Sequence, residues 1–125
     1  MLEDHLANAD SGRAFIEVVL EGLAAEAVEP APRGCLAMNS ANELGAAVPT
    51  LSSEVSHCFA SVTRVFHRAM ILGQTDGSIG RARDADDLAR YLVAHIGGVR
   101  NLIRGGAADP DQVRRLNVIT LEALA

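Results

Sequence analysis

The stretch Asp84-Ala85-Asp86-Asp87-Leu88-Ala89-Arg90-Tyr91-Leu92-Val93-Ala94-His95-Ile96-Gly97-Gly98-Val99-Arg100-Asn101-Leu102-Ile103-Arg104-Gly105-Gly106 decides the fold. Its acidic start suits the positive end of a helix, and its Gly-Gly end is a common place for the chain to leave one. Between these ends Leu88, Leu92, His95, Ile96, Val99, Leu102 and Ile103 recur at helical spacing and share one long apolar face. Gly97 and Gly98 fall in mid-helix, where each costs about 1 kcal/mol relative to Ala. Close packing against the backbone at that point would account for them.

Downstream, Asp109-Pro110-Asp111-Gln112 is a second start signal: Asp as N-cap, Pro at the first helical position, and Gln placed to complete a capping box. The last helix runs from there to the C-terminus. Its Val113, Leu116, Ile119, Leu121 and Leu124 wrap more than half of the circumference, so it needs cover on two sides. One side belongs to its own domain. The expected cover for the other is a second copy, since two helix pairs close into a four-helix bundle across a two-fold axis. The alternative is a monomeric core with an apolar last helix.

Upstream, Asp10 or Ser11 caps a helix over 12–28 with Phe15, Ile16, Val19, Leu20 and Leu23 on a broad apolar face. Pro30 and Pro32 end it, because neither can donate the next helical hydrogen bond. A short helix begins at Arg33-Gly34-Cys35-Leu36 and stops near Gly45 to Pro49. Thr50 caps the longest helix, over 51–73, with Leu51, Val55, Cys58, Phe59, Val62, Val65, Phe66, Ala69 and Met70 in one stripe. His57, Arg64 and Arg68 lie opposite and are expected in solvent, with His67 at the stripe's edge. Gly73 to Gly80 reads as a loop. The fold class is therefore all-α: one domain over 1–125, with five to six helices, the last two forming a dimeric four-helix bundle.

Composition excludes several function classes. The 125 residues are 49% hydrophobic and 22% charged, the balance of a globular chain and not of a disordered one. The net charge is −5, Lys is absent and the Arg residues are scattered among acids, so no basic stripe exists to hold a phosphate backbone. Phe15, Phe59, Phe66 and Tyr91 are too few for base stacking. No apolar run reaches the roughly 20 residues that cross a bilayer, and Met1-Leu2-Glu3-Asp4 lacks the basic start of a secretory signal. A cytoplasmic protein with reduced thiols is expected, since Cys35 and Cys58 have no metal or redox spacing.

Catalysis finds little support. The histidines are unclustered, and neither a His-Glu-x-x-His pair nor a Gly-x-Ser-x-Gly elbow occurs. His57, Cys58 and His67 lie on different faces of one helix and cannot share an ion. Gly77-x-x-Gly80 is too short for a phosphate loop. No enzyme, cofactor or metal site is expected.

The helix at 33–45 is unusual in its polarity. Cys35, Asn39, Asn42 and Ala46 fall on one side, and Leu36, Ser40, Leu44 and Ala47 on the other. A thiol and two amides on a covered face need partners or a ligand.

Taken together, Arg33-Gly34-Cys35-Leu36 with Asn39 and Glu43-Leu44, Ala94-His95-Ile96-Gly97-Gly98-Val99-Arg100, and the two acidic helix starts resemble the C-terminal, effector-binding domain of TetR/AcrR-family transcriptional repressors. The resemblance covers about Ser11 to Ala125 and rests on the order and spacing of its motifs. It implies an all-α homodimer joined through the last two helices, with a pocket for a small apolar or electrophilic effector that relieves DNA binding. The DNA would be read by an N-terminal helix-turn-helix of about fifty residues, for which the segment before Ser11 is too short. Met1 to Leu6 reads as the remainder of a connecting helix. A stand-alone helical dimerisation module with no small-molecule ligand is the alternative.

On this resemblance the ligand-binding candidates are Cys35, Met38, Asn39, Asn42, Phe59, Val62, Phe66, Tyr91 and His95. The dimer-interface candidates are Leu88, Leu92, Ile96, Val99, Ile103, Val113, Leu116 and Leu121. Each has a plainer role as core or interface packing. For Cys35 the two readings are an electrophile or oxidant sensor at a helix start and a small buried hydrophobe.

Overall fold

Five α-helices, and no strand, occur among the residues that the structure, a computed structural model, describes: 2–28 and 49–125, with side chains of the long third helix described from residue 57. The helices are α1 (Leu2–Ala7), α2 (Gly12–Glu26), α3 (Pro49–Asp76), α4 (Ala85–Arg104) and α5 (Pro110–Ala123). The helix expected at 33–45, and the breaks at Pro30 and Pro32, lie outside the described residues.

Helix starts follow their local signals. Ser11 Oγ accepts the backbone N–H of Ala14 at 3.0 Å and opens α2. The Asp84 carboxylate accepts from the backbone of Asp86 and Asp87 at 3.1 and 3.2 Å and opens α4. At α5 the capping box closes in both directions, with Asp109 Oδ1 accepting from Gln112 N and Gln112 Oε1 accepting from Asp109 N, each at 2.8 Å. Helix α4 ends at Gly105, and Gly106 turns the chain away with a φ of 70°, a conformation open to glycine at little cost.

Two helices differ from the sequence reading in their bounds. Helix α2 stops at Glu26, two residues short of Val28. Helix α3 starts at Pro49, which puts Thr50 inside it, and it continues past Gly73 to Asp76. Gly73 is a point of contact and not a stop: the side chain of Ile79 occupies the place where its Cβ would be. The Asp76 carboxylate instead closes this end, accepting the backbone N–H of Gly12 at 3.0 Å and of Ser78 at 2.8 Å.

Helix α2 is the central element. It lies chiefly against α3 and α5, while α4 lies chiefly against α3; α4 and α5 touch each other little. Phe15, Ile16, Leu20, Leu23 and Ala24 of α2 are buried against Val65, Phe66, Ala69 and Met70 of α3 and the inner face of α4. Burying each of the larger side chains stabilises the fold by roughly 1.5–3 kcal/mol. Phe15 and Phe66 meet with ring centroids 6.4 Å apart and planes tilted by 55°. Helix α5 is tied in by a polar bridge. Asn117, buried, donates to the Leu20 carbonyl at 2.9 Å and its Oδ1 lies 2.8 Å from His95 Nε2.

Candidate functional site

Three helices each present a stripe at three- and four-residue spacing to one shared space. Val18, Val19, Gly22, Leu23 and Glu26 come from α2, Cys58, Phe59, Val62 and Phe66 from α3, and Val93, Ile96 and Arg100 from α4. Leu2 and His5 of α1 complete the wall. The cavity, open on one side, is about 450 Å³, within the size range of small-molecule pockets.

Its wall is apolar apart from His5, the Cys58 thiol and one charged place. There the Nε–H of Arg100 lies 3.2 Å from each oxygen of Glu26, joining the C-terminal end of α2 to α4. The pair is partly shielded, with side-chain exposures of 29% for Arg100 and 17% for Glu26. Such a site can enclose an apolar body and offer a small number of directed polar contacts.

The sequence candidates divide into three groups. Phe59, Val62 and Phe66 line the cavity. Cys35, Met38, Asn39 and Asn42, with Glu43, lie outside the described residues. Tyr91 and His95 do not line it. The inward stripe of α4 runs Val93, Ile96, Arg100, and His95, one residue before Ile96, is turned about 100° away, where it meets Asn117. Tyr91 is exposed beside Ala123. Absent from the ligand-binding candidates were Leu2, His5, Val18, Val19, Gly22, Leu23, Glu26, Cys58, Val93, Ile96 and Arg100. Arg100 and Glu26 carried one faint signal, a charged residue beside the apolar stripe of its helix.

The expected interface residues also have a different setting. Leu88, Leu92, Ile96, Val99, Ile103 and Val113 are buried within one copy, and Leu116 and Leu121 are half-buried. The apolar face of α4 is thus already covered by its own chain, chiefly by α3. What remains exposed is Tyr91 and Leu102 on α4 and Val118 and Ile119 on α5. A Cβ at Gly98 would meet nothing within 4 Å, so no neighbour among the described residues explains that glycine.

Asp84, Asp86 and Asp87 bring ligand-type oxygens within 4.8 Å of one another among the described residues. Capping and pairing account for this cluster. Asp84 caps α4, and Asp86 accepts from Arg90 Nε at 2.9 Å, a hydrogen bond that holds the Asp86 carboxyl below its ordinary pKa.

A helix-walled, largely apolar cavity with one ion pair on its wall has the size and lining common at small-molecule sites. The chain belongs to the family described as tetracyclin repressor-like, C-terminal domain, which matches residues 13–117. It is therefore an all-α domain of the TetR-type transcriptional regulators, a non-enzymatic family. A cysteine-substituted variant of the TetR family transcriptional regulator CifR, complexed with 26-bp double-strand operator DNA, matches with a TM-score of 0.83 at 20% identity over 99% of this chain. A second CifR cysteine variant, also complexed with 26-bp operator DNA, matches with a TM-score of 0.75 at 22% identity over 98% of this chain. The chain spans 65% and 63% of these two CifR chains, and at such identities the likeness is one of fold. No curated protein matches in sequence. No helix among the described residues is long and apolar enough to cross a membrane.

Proposed function

We propose that this domain is the ligand-sensing and dimerisation part of a TetR-type transcriptional repressor, in which a small molecule in the cavity relieves operator binding. The observation that carries the reading is the apolar cavity of about 450 Å³ between α1, α2, α3 and α4. A ligand biases two arrangements of a regulator only through its different affinity for them. Here the cavity wall includes α4, and the outer side of α4, with α5, carries four of the exposed large apolar residues, Tyr91, Leu102, Val118 and Ile119. A shift of α4 on ligand entry would therefore reach a dimer contact directly. DNA reading is assigned to a helix-turn-helix outside these 125 residues, in keeping with the operator complexes of CifR.

The dimer contact proposed is the outer surface of α4 and α5, with Tyr91, Leu102 and Ile119 as its apolar anchors and Gly98 as a place for close approach. This moves the contact off the buried residues Leu92 and Ile96 and onto a neighbouring, exposed side of the same helix. Ile119→Asp is expected to give monomer by sedimentation velocity. A monomeric wild type would overturn the dimer.

For sensing, a thermal-shift panel of small aliphatic and aromatic compounds on the 125-residue domain is the test. A compound present at one hundred times its Kd stabilises by about 2.7 kcal/mol, which raises the melting temperature by several degrees. A panel without any stabilising member would refute the sensing reading and leave a dimerisation module. Cys35 stays the candidate for an electrophilic effector, and protection of that thiol from alkylation by a bound compound would support it.

A further inference from the structure

Arg100 has more donors than partners. Its Nε–H is shared between the two oxygens of Glu26, whereas neither terminal amino group makes a hydrogen bond among the described residues. Among the described residues, two amino groups on a partly shielded guanidinium at a cavity wall are therefore left to water or to an occupant. An occupant that strips this water without supplying an acceptor leaves buried donors unmade, which is unfavourable.

The charge of Glu26 restricts which acceptor fits. A carboxylate brought to the amino groups of Arg100 would stand beside the Glu26 carboxylate, two like charges in a partly shielded place. An ammonium would meet the Arg100 charge itself. An uncharged carbonyl, amide or ether oxygen meets donors with no like charge opposing it.

Gly22 is an independent sign that the space is kept for something. It lies inside α2, where Gly is less stable than Ala, and no backbone conformation requires it. A Cβ there would have nothing within 4 Å, and the residue lines the cavity. The absent side chain therefore adds room to the cavity and relieves no contact.

We propose that the cavity takes an uncharged molecule with an apolar body and one carbonyl-type oxygen. The oxygen accepts from the terminal amino groups of Arg100, and the body lies over Gly22 against Val19, Phe59 and Val62. This rests on the ligand-sensing reading above and specifies the class of ligand.

The test is calorimetric titration of the domain with 2-nonanone, nonanoate and nonylammonium, which share a chain and differ in the head. The ketone is expected to bind about tenfold or more tighter than either ion, and Arg100→Met to remove about that factor for the ketone. Glu26→Gln frees the guanidinium from its counter-charge and is expected to turn the preference toward nonanoate. Gly22→Leu is expected to raise the melting temperature and abolish ketone binding, opposite effects that a purely structural glycine would not produce. Melting curves confirm that each variant is folded, and the wild-type series stands without any variant. Nonanoate binding as tightly as the ketone, or a preference unchanged in a folded Arg100→Met, overturns the inference while leaving the cavity a ligand site. If no nonyl probe binds although other apolar compounds stabilise the domain, the inference again fails alone. If no compound of either series binds, the ligand-sensing reading fails with it.

Discussion

At Gly12, the first residue of α2, a Cβ would run into the backbone of Gly73 and Ala69, so α2 and α3 approach there backbone to backbone. At Gly22, toward the other end of the same helix, a Cβ would meet nothing within 4 Å. Around Gly12 the molecule is closed. Asp76 takes the Gly12 N–H, Ser78 Oγ accepts from Arg13 N at 3.1 Å, and Phe15 lies on Phe66. Around Gly22 it is open, and the opening is the cavity. The same residue type thus removes distance at one end of α2 and leaves volume at the other. Stability and the proposed binding are divided along one helix, and each end can be tested without the other.

The largest effect is expected at the closed end. Phe15→Ala removes a ring that is 1% exposed and should lower the unfolding free energy by about 3–5 kcal/mol, measured by urea denaturation. A loss as small as that of a surface substitution would mean that this end is not tightly filled. Gly12→Val forces α2 and α3 apart and is expected to cost about 1–3 kcal/mol or more by the same measurement. A neutral result would break the comparison, because Gly12 would then have room like Gly22.

Gly22→Ala should have the opposite sign, a gain of about 1 kcal/mol from helix propensity alone. A loss there would show that the space at the cavity end is not open. The smallest effect is confined to acid. The Asp76 carboxyl is held below its ordinary pKa, first by its hydrogen bond with Ser78 and then by the backbone N–H groups of Gly12 and Ser78. A lowered folded pKa stabilises the fold above the unfolded value of about 3.9 and loses that contribution as the pH falls through the folded value. The stability difference between wild type and Asp76→Asn should therefore shrink below about pH 4. A difference that stays constant across that range would remove Asp76 from the closed end.

Periodicity and caps were legible in the sequence to different depths. Ser11, Asp84 and the Asp109–Gln112 box mark their helix starts because the donors they satisfy lie within three residues of them. Phe15, Phe59, Val62, Phe66 and Leu92 are recognisable as inward-facing because their spacing follows the helical repeat. That repeat does not say what covers a face. Leu88, Leu92, Val99 and Ile103 form the stripe expected at an interface, and their own chain already buries them. Gly73 reads as a stop when only its neighbours in sequence are considered, and it is a contact because Ile79 folds back over it.

The sequence by itself therefore determined the all-α class, most helix boundaries among the described residues, and much of the inward faces of α2, α3 and α4. These follow from interactions within a turn or two of the chain. Only the tertiary structure decided that Gly12 is crowded and Gly22 is not, that Asn117 ties α5 to Leu20 and His95, and that Glu26 and Arg100 share a cavity wall. Each depends on residues far apart in sequence, and no local pattern encodes which surfaces meet once the helices pack.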